Sequence, residues 1–175
     1  MTSSDLRAFI RDIPDFPSAG IVFRDITPLL LDPAALDAAV AGLSALVHST
    51  PVDFVLAAEA RGFILGAALA RELGAGFVPA RKPGKLPGET VSAQYTLEYG
   101  IDALEVHADA LADGARVLVH DDLLATGGTA GALCDLVADL GAEIIGCAFL
   151  VELTFLGGRR RLAPHRVHSL IEYGD

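Results

Sequence analysis

Apolar side chains recur along this chain in two alternating rhythms. Leu36, Val40, Leu43 and Val47 fall at the three- and four-residue spacing of one helix face. Asp32-Pro33 stands just before them, an N-cap residue followed by proline at the first helical position. Residues 53–58 form a short apolar run instead, which predicts a buried strand. Leu65, Leu69 and Leu73 return to helical spacing, and Gly74 closes that helix. A second short strand is predicted over 76–81. Residues 82–90, with Pro83, Gly84, Pro87 and Gly88, carry too few large apolar groups to pack and predict a loop. Strand character returns at 91–99 and around Leu104 and Val106. A core strand follows over 116–120, then a glycine-rich turn. A helix bearing Leu133, Leu136, Val137 and Leu140 comes next, stopped by Gly141, and a last strand spans 143–151. Strands alternating with helices predict an α/β fold: a mostly parallel sheet covered on both faces, with ligands beyond the carboxyl ends of its strands. No repeat or low-complexity linker divides residues 1–175, so one domain is expected.

Composition narrows the partners. The chain carries 13 basic and 23 acidic side chains, a net charge of −10. Nucleic acid and anionic membranes need a broad positive surface, so neither is an expected partner. The longest apolar run, 144–151, is too short to cross a bilayer. Asp5, Arg7, Arg11 and Asp12 leave no apolar signal core at the N-terminus, and a cytoplasmic protein is expected. Cys134 and Cys147 have no metal-type spacing and read as buried, reduced thiols. The histidines at 48, 107, 120, 165 and 168 form no ligand spacing either, and Arg159-Arg160-Arg161 reads most simply as a solvated helix face. The lysines are more pointed. There are only two, Lys82 and Lys85, and both lie in the glycine- and proline-rich loop directly after Arg81. Mobile point charges of that kind suit phosphate groups.

The most specific segment is Val117-Leu118-Val119-His120-Asp121-Asp122-Leu123-Leu124-Ala125-Thr126-Gly127-Gly128-Thr129. A Thr-Gly-Gly-Thr turn entering a helix offers free backbone N–H groups, two hydroxyls and the positive end of the helix dipole, which together suit a phosphate monoester. It is not a Walker A loop, because the Gly-Lys-Ser/Thr is missing. Two adjacent carboxylates at a strand exit repel unless a cation or hydroxyls engage them.

This segment resembles the phosphoribosyl pyrophosphate motif of type I phosphoribosyltransferases, and its Asp-Asp-Leu-Leu-Ala-Thr-Gly-Gly-Thr form resembles the adenine-specific branch. The motif usually has an aliphatic residue where His120 stands. The resemblance continues along the chain. Asp15-Phe16-Pro17 with residues 20–29 is similar to the N-terminal adenine-pocket segment, Ala60-Arg61-Gly62-Phe63 to the pyrophosphate loop, and residues 81–88 to the flexible lid. Leu97-Glu98-Tyr99-Gly100 and Val151-Glu152-Leu153-Thr154 match two further signatures.

The resemblance implies a type I phosphoribosyltransferase fold with a small hood and a flexible lid loop. It also implies transfer of phosphoribosyl from phosphoribosyl pyrophosphate to adenine, giving AMP and pyrophosphate in purine salvage, by a homodimer. Asp121 and Asp122 would hold the ribose hydroxyls and favour an oxocarbenium-like sugar. Ala125, Thr126, Gly127, Gly128 and Thr129 would cradle the 5′-phosphate. Arg61 would clamp pyrophosphate; its cation otherwise sits at the unfavourable end of a helix. Arg81, Lys82 and Lys85 would arrive with the lid and exclude water. Phe23 and Leu153 would sandwich adenine while the backbone around Val22 and Arg24 reads its edge. Glu98 is a candidate for proton movement on the purine, and an exposed strand carboxylate is the equal alternative. Mg²⁺ would be bound through substrate and water, with no residue assigned as its direct ligand. Two other readings stay open: transfer to another purine base, and a regulator that only senses phosphoribosyl pyrophosphate.

Overall fold

A computed structural model describes residues 2–97 and 100–174. A short helix α1 (Ser3–Arg7) leads into an antiparallel hairpin, β1 (Arg11–Pro14) and β2 (Val22–Asp25), the hood of the molecule. Helices α2 (Thr27–Leu31) and α3 (Pro33–Val47) follow. The Asp32 side chain accepts from the Ala35 N–H at 2.8 Å, so the Asp-Pro pair starts α3 as expected. The residues α3 buries most deeply are Ala35, Ala39, Leu43 and Val47, while Leu36 and Val40 pack half-buried beside them. Small side chains thus sit where the helix comes nearest its neighbours.

Next come β3 (Phe54–Ala58), α4 (Gly62–Leu73) and β4 (Gly76–Ala80). Gly74 ends α4 in the left-handed conformation, φ 67°. The arm β5 (Thr90–Leu97) and β6 (Gly100–His107) is a separate antiparallel pair. Then follow β7 (Arg116–Leu124), α5 (Gly128–Asp139), β8 (Glu143–Leu153), a 3-10 turn (Thr154–Leu156), α6 (Gly158–Arg161) and β9 (Val167–Tyr173). The hood hairpin and β9 are elements the apolar pattern does not disclose. β1 and β2 are short, β1 largely exposed and β2 only half-buried, and β9 mixes polar with apolar positions.

The central sheet has the order β4-β3-β7-β8-β9 and is parallel throughout. Alternation along β7 sorts its residues between two cores. Val117 and Val119 join Leu133, Leu136 and Val137 of α5 and Leu104 and Val106 of β6; Leu118 joins Leu43 of α3 and Leu65 and Leu69 of α4. Burial on both faces is why these strands read as continuous Val/Leu runs. Among the described residues no helix is long and apolar enough to cross a membrane.

Candidate active site

The carboxyl ends of β3 and β7 meet at a cavity of about 240 Å³, lined by Arg61 and by every residue from Asp121 to Ala130. β7 runs on to Leu124, so the two aspartates lie within the strand rather than just past it. The Asp122 N–H donates to Asp121 Oδ1 at 2.9 Å. Burial, and then the Asp122 charge, push the Asp121 pKa well above the usual carboxylate range. Burial also raises that of Asp122, and Arg61 offsets part of the rise. The cavity therefore favours a cation that lets both carboxylates ionise.

Arg61 caps the start of α4 with no side-chain bond to that helix; its Nε lies 2.9 Å from Asp122 Oδ2. The contact satisfies charge but not direction: buried Asp122 Oδ2 has no hydrogen-bond donor. The Arg61 guanidinium also lies over the Phe23 ring, 4.8 Å from its centroid. Gly62 lets this corner close, since a Cβ there would come within 2.7 Å of Asp121 Oδ1.

Within the segment 125–129 the turn ends at Gly127, at φ 83°, and α5 begins at Gly128. A side chain at Gly127 would be strained in conformation and would meet the Gly158 carbonyl oxygen at 2.9 Å. The opening turn of an α-helix leaves its first N–H groups unbonded, and here they belong to residues lining the cavity.

These features decide the family. The chain belongs to the phosphoribosyltransferase family, in its adenine branch. The family model for the phosphoribosyl transferase domain matches residues 30–168. An adenine phosphoribosyltransferase of Thermotoga maritima is 57% identical over 173 residues, 99% of this chain and 100% of that protein. The crystal structure of the Thermoanaerobacter pseudethanolicus adenine phosphoribosyltransferase superimposes with a TM-score of 0.96 at 50% identity, covering 98% of this chain and 100% of that one. That of the Giardia lamblia enzyme, complexed with 9-deazaadenine, gives 0.94 at 39% identity, covering 100% of this chain and 99% of that one.

Within this phosphoribosyltransferase the remaining candidates fall in three places. The lid cations stand outside the cavity, and carboxylates hold two of them, Arg81 and Lys82. Arg81 Nε donates to Glu59 Oε2 at 2.7 Å, and the Lys82 N–H donates to Glu59 Oε1 at 3.1 Å. Burial works against the Glu59 charge, but these two donors hold its pKa below the usual value. Lys82 Nζ pairs with Asp102, which also accepts from the Tyr95 hydroxyl at 3.1 Å. The Lys85 carbonyl accepts from Arg81 Nη1, the Gly84 N–H donates to Glu105, and His107 Nε2 bonds the Pro87 carbonyl oxygen.

Val22, Arg24 and Leu153 line a second cavity, of about 390 Å³, with Ile21, Phe155 and Leu156. Phe23 takes the other side of β2, where its ring packs edge-on against Phe16 at 5.2 Å and under Arg61. Strand alternation thus divides the adenine-pocket candidates: Phe23 joins the pyrophosphate side, while Leu153 stands with Val22 and Arg24. Glu98 lies outside the described residues.

Two sets of residues are missed by sequence reasoning. Glu59 is one. β3 and β4 pair in register and end together at Ala58 and Ala80, which puts Glu59 beside Arg81; the equal strand ends are the signal that could have found it. The other corrects the solvated-face reading of Arg159. Arg159 Nε donates to both oxygens of Glu152, at 2.7 and 2.9 Å, and Glu152 is buried (1% exposed). Arg159 Nη2 reaches Glu172 at 2.8 Å, and Ser169 Oγ donates to Glu152 at 2.5 Å. This network pins α6 to β8 and β9 next to Leu153. A buried carboxylate needs such a partner, so the isolated Glu152 in an apolar strand was the available clue.

Proposed function

We infer that the chain is an adenine phosphoribosyltransferase, transferring the phosphoribosyl group of phosphoribosyl pyrophosphate to adenine and releasing AMP and pyrophosphate in purine salvage. The observation that carries this reading is the convergence of Arg61, the Asp121–Asp122 pair and the helix-opening turn 125–129 on one cavity. The turn binds the 5′-phosphate through backbone N–H groups and the hydroxyls of Thr126 and Thr129. From there the ribose reaches Asp121 and Asp122. As the anomeric C–O bond to pyrophosphate breaks and the bond to the adenine nitrogen forms, the sugar gains positive charge, and the two carboxylates favour it. Arg61 takes the charge of the departing pyrophosphate. Arg81, Lys82 and Lys85 add theirs when the lid exchanges Glu59 and Asp102 for phosphate, and closure keeps water from the sugar. The base lies along the edge of β2, with Phe23 supplying an aromatic face from the Arg61 side and Leu153 an apolar one from the cavity it shares with Val22 and Arg24, and Glu98 serves the proton lost from adenine.

Magnesium fits this donor set. No cluster of three or more metal-ligating side chains occurs among the described residues. Two adjacent carboxylates, one with a buried unpartnered oxygen, suit an ion that arrives with its substrate and keeps several waters. Asp121 and Asp122 would hold Mg²⁺ by way of substrate and water, and the ion would supply Lewis-acid stabilisation of the leaving group. Phe16, Ile21, Val22, Leu31, Ile64, Phe155 and Leu156 are exposed, Leu31 by 77%. Leu31 and Ile64, which line neither cavity, offer apolar surface that a second copy of the chain would cover in a homodimer. A panel of adenine, hypoxanthine, guanine and xanthine, assayed with phosphoribosyl pyrophosphate and Mg²⁺, tests the reading. Adenine should be the preferred acceptor; inertness towards every base would leave only a sensor of the pyrophosphate substrate.

A further inference from the structure

Away from the transfer cavity, two thiols face each other across the core. Cys134 on α5 and Cys147 on β8 are both free, with Sγ atoms 3.8 Å apart. Their access to solvent is unequal. Cys147 is fully buried, at 0% exposure, whereas Cys134 helps line a third cavity, of about 200 Å³. Arg161, His165 and Gln94 line the same cavity, with Asp135 as the opposing charge. The Arg161 Nε lies beside Gly131, one helical turn before Cys134 on the same face of α5. Cys134, though buried at 7% exposure, is thus the one of the two thiols that borders this cavity.

We propose that Cys134 and Cys147 form a hydroperoxide-sensitive thiol–disulfide site whose closure weakens binding of the pyrophosphate substrate through α5. In the first step the Cys134 sulfur attacks one oxygen of hydrogen peroxide and the O–O bond breaks. The departing hydroxide takes up the proton released by the Cys134 thiol and leaves as water, and Cys134 becomes a sulfenic acid. In the second step the Cys147 sulfur attacks the sulfenic sulfur. An S–S bond forms, the S–O bond breaks, and hydroxide leaves with the Cys147 proton as a second water. Overall, two thiols lose two electrons and one peroxide gains them. The neighbouring Cys147 S–H favours the Cys134 thiolate and lowers its pKa, against burial and the Asp135 charge. The pKa of Cys147 is raised, first by its contact with Cys134 and then by burial. The attacking and resolving roles follow from position: Cys134 lines the cavity and Cys147 lies behind it in β8.

The consequence for binding is geometric. A disulfide needs its sulfurs about 2.05 Å apart, so the two sulfurs, now at 3.8 Å, must close through side-chain rotation together with an adjustment of α5 against β8. A close-packed core does not absorb such a step locally. The same helix opens at Gly128, whose turn lines the phosphate cavity.

The test uses the full chain treated with hydrogen peroxide, followed by peptide mapping and by kinetics before and after dithiothreitol. The wild type should give a cross-linked Cys134–Cys147 peptide. Its KM for phosphoribosyl pyrophosphate should rise about fivefold or more, the lower end of typical coupling between sites, and recover on reduction. Cys147→Ser should accumulate a Cys134 sulfenic acid that dimedone captures, and Cys134→Ser should leave Cys147 unoxidised. Absence of the cross-linked peptide overturns the site, as does oxidation of Cys147 in Cys134→Ser at the wild-type rate. A cross-link with unchanged KM overturns the coupling. The wild-type map decides the bond alone if a serine variant fails to fold. Only the KM readout rests on the transferase reading, whose failure would show as inactivity of the reduced chain.

Discussion

Arg61 Nε lies 2.9 Å from Asp122 Oδ2, so the candidate clamp for the leaving group and a candidate carboxylate for the sugar neutralise each other. Pyrophosphate on Arg61 and ribose on Asp122 both require this pair to loosen. The electrostatic energy of the pair is thereby exchanged for contacts to substrate rather than newly created.

Asp122→Asn should keep the fold and lose most turnover. Burial already raises the pKa of Asp122, so a neutral isostere suits its surroundings. Stability should change by no more than about 1 kcal/mol. The developing sugar cation loses one of its two carboxylates, and kcat should fall on the order of a hundredfold or more. Thermal melts and steady-state kinetics check this together; near-normal kcat would remove the assigned role.

Asp102→Asn should release the lid. Lys82 is held by Asp102, whose carboxylate is itself fixed by the Tyr95 hydroxyl. Substrate competes with that carboxylate for the lysine. Removing its charge should lower the KM for phosphoribosyl pyrophosphate by about two- to fivefold, the scale of a partly exposed ion pair. Hydrogen exchange over residues 82–89 should be faster in the variant without substrate and slowed in both proteins by phosphoribosyl pyrophosphate with Mg²⁺. Equal protection in all four samples would contradict a moving lid.

The transfer cavity was legible in the sequence because its parts are contiguous: residues 121–129 carry both carboxylates, the turn and the helix start. The lid's counter-charges were not. Glu59 and Asp102 lie 22 and 20 residues from the cations they hold, and only strand register brings them together. The central strands announced themselves through two-sided burial, whereas the hood hairpin β1–β2 buries little and leaves no period. Cys134 and Cys147 were correctly read as buried thiols, but their contact arises from packing of α5 on β8.

His120 should make stability fall as the solution is acidified. Its ring is fully buried; Nδ1 bonds the Ala148 carbonyl oxygen at 2.9 Å, and Nε2 has no partner. Burial is the main cause that lowers its pKa from 6.5 to about 4, with the Ala148 bond opposing. The unfolded chain therefore takes up this proton first. The contribution of His120 is whole above about pH 6.5 and is lost progressively down to about pH 4. Asp121 and Asp122, with raised pKa values, act in the opposite direction, so a difference between two proteins is needed. His120→Leu should gain about 2–3 kcal/mol relative to wild type between pH 7.5 and 4.5, measured by urea unfolding. Parallel pH profiles would show that the imidazole is charged or solvated in the folded protein.

The base preference should come from the edge of β2. Val22 and Arg24 are two residues apart on that strand, so their backbone polar groups leave it on the same side. Among the described residues β2 has a neighbour, β1, on one edge only. A Val22 carbonyl and an Arg24 N–H side by side match the 6-amino donor and N1 acceptor of adenine. Hypoxanthine and guanine present a carbonyl and an N–H there, and both contacts become mismatches. Each unpaired buried group costs roughly 1–3 kcal/mol. Adenine should therefore exceed both oxopurines in kcat/KM on the order of a hundredfold or more. Arg24→Ala separates backbone from side chain. Arg24 pairs with Asp12 at 2.5 Å and stacks over Tyr173 at 4.0 Å, so its loss should loosen the hairpin and weaken all bases alike, leaving the ratio intact. Phe23→Ala should raise the KM for adenine by removing an aromatic face. A ratio that collapses in Arg24→Ala would place the reading in the guanidinium rather than the main chain, and equal use of hypoxanthine by the wild type would remove the adenine assignment while leaving phosphoribosyl transfer standing.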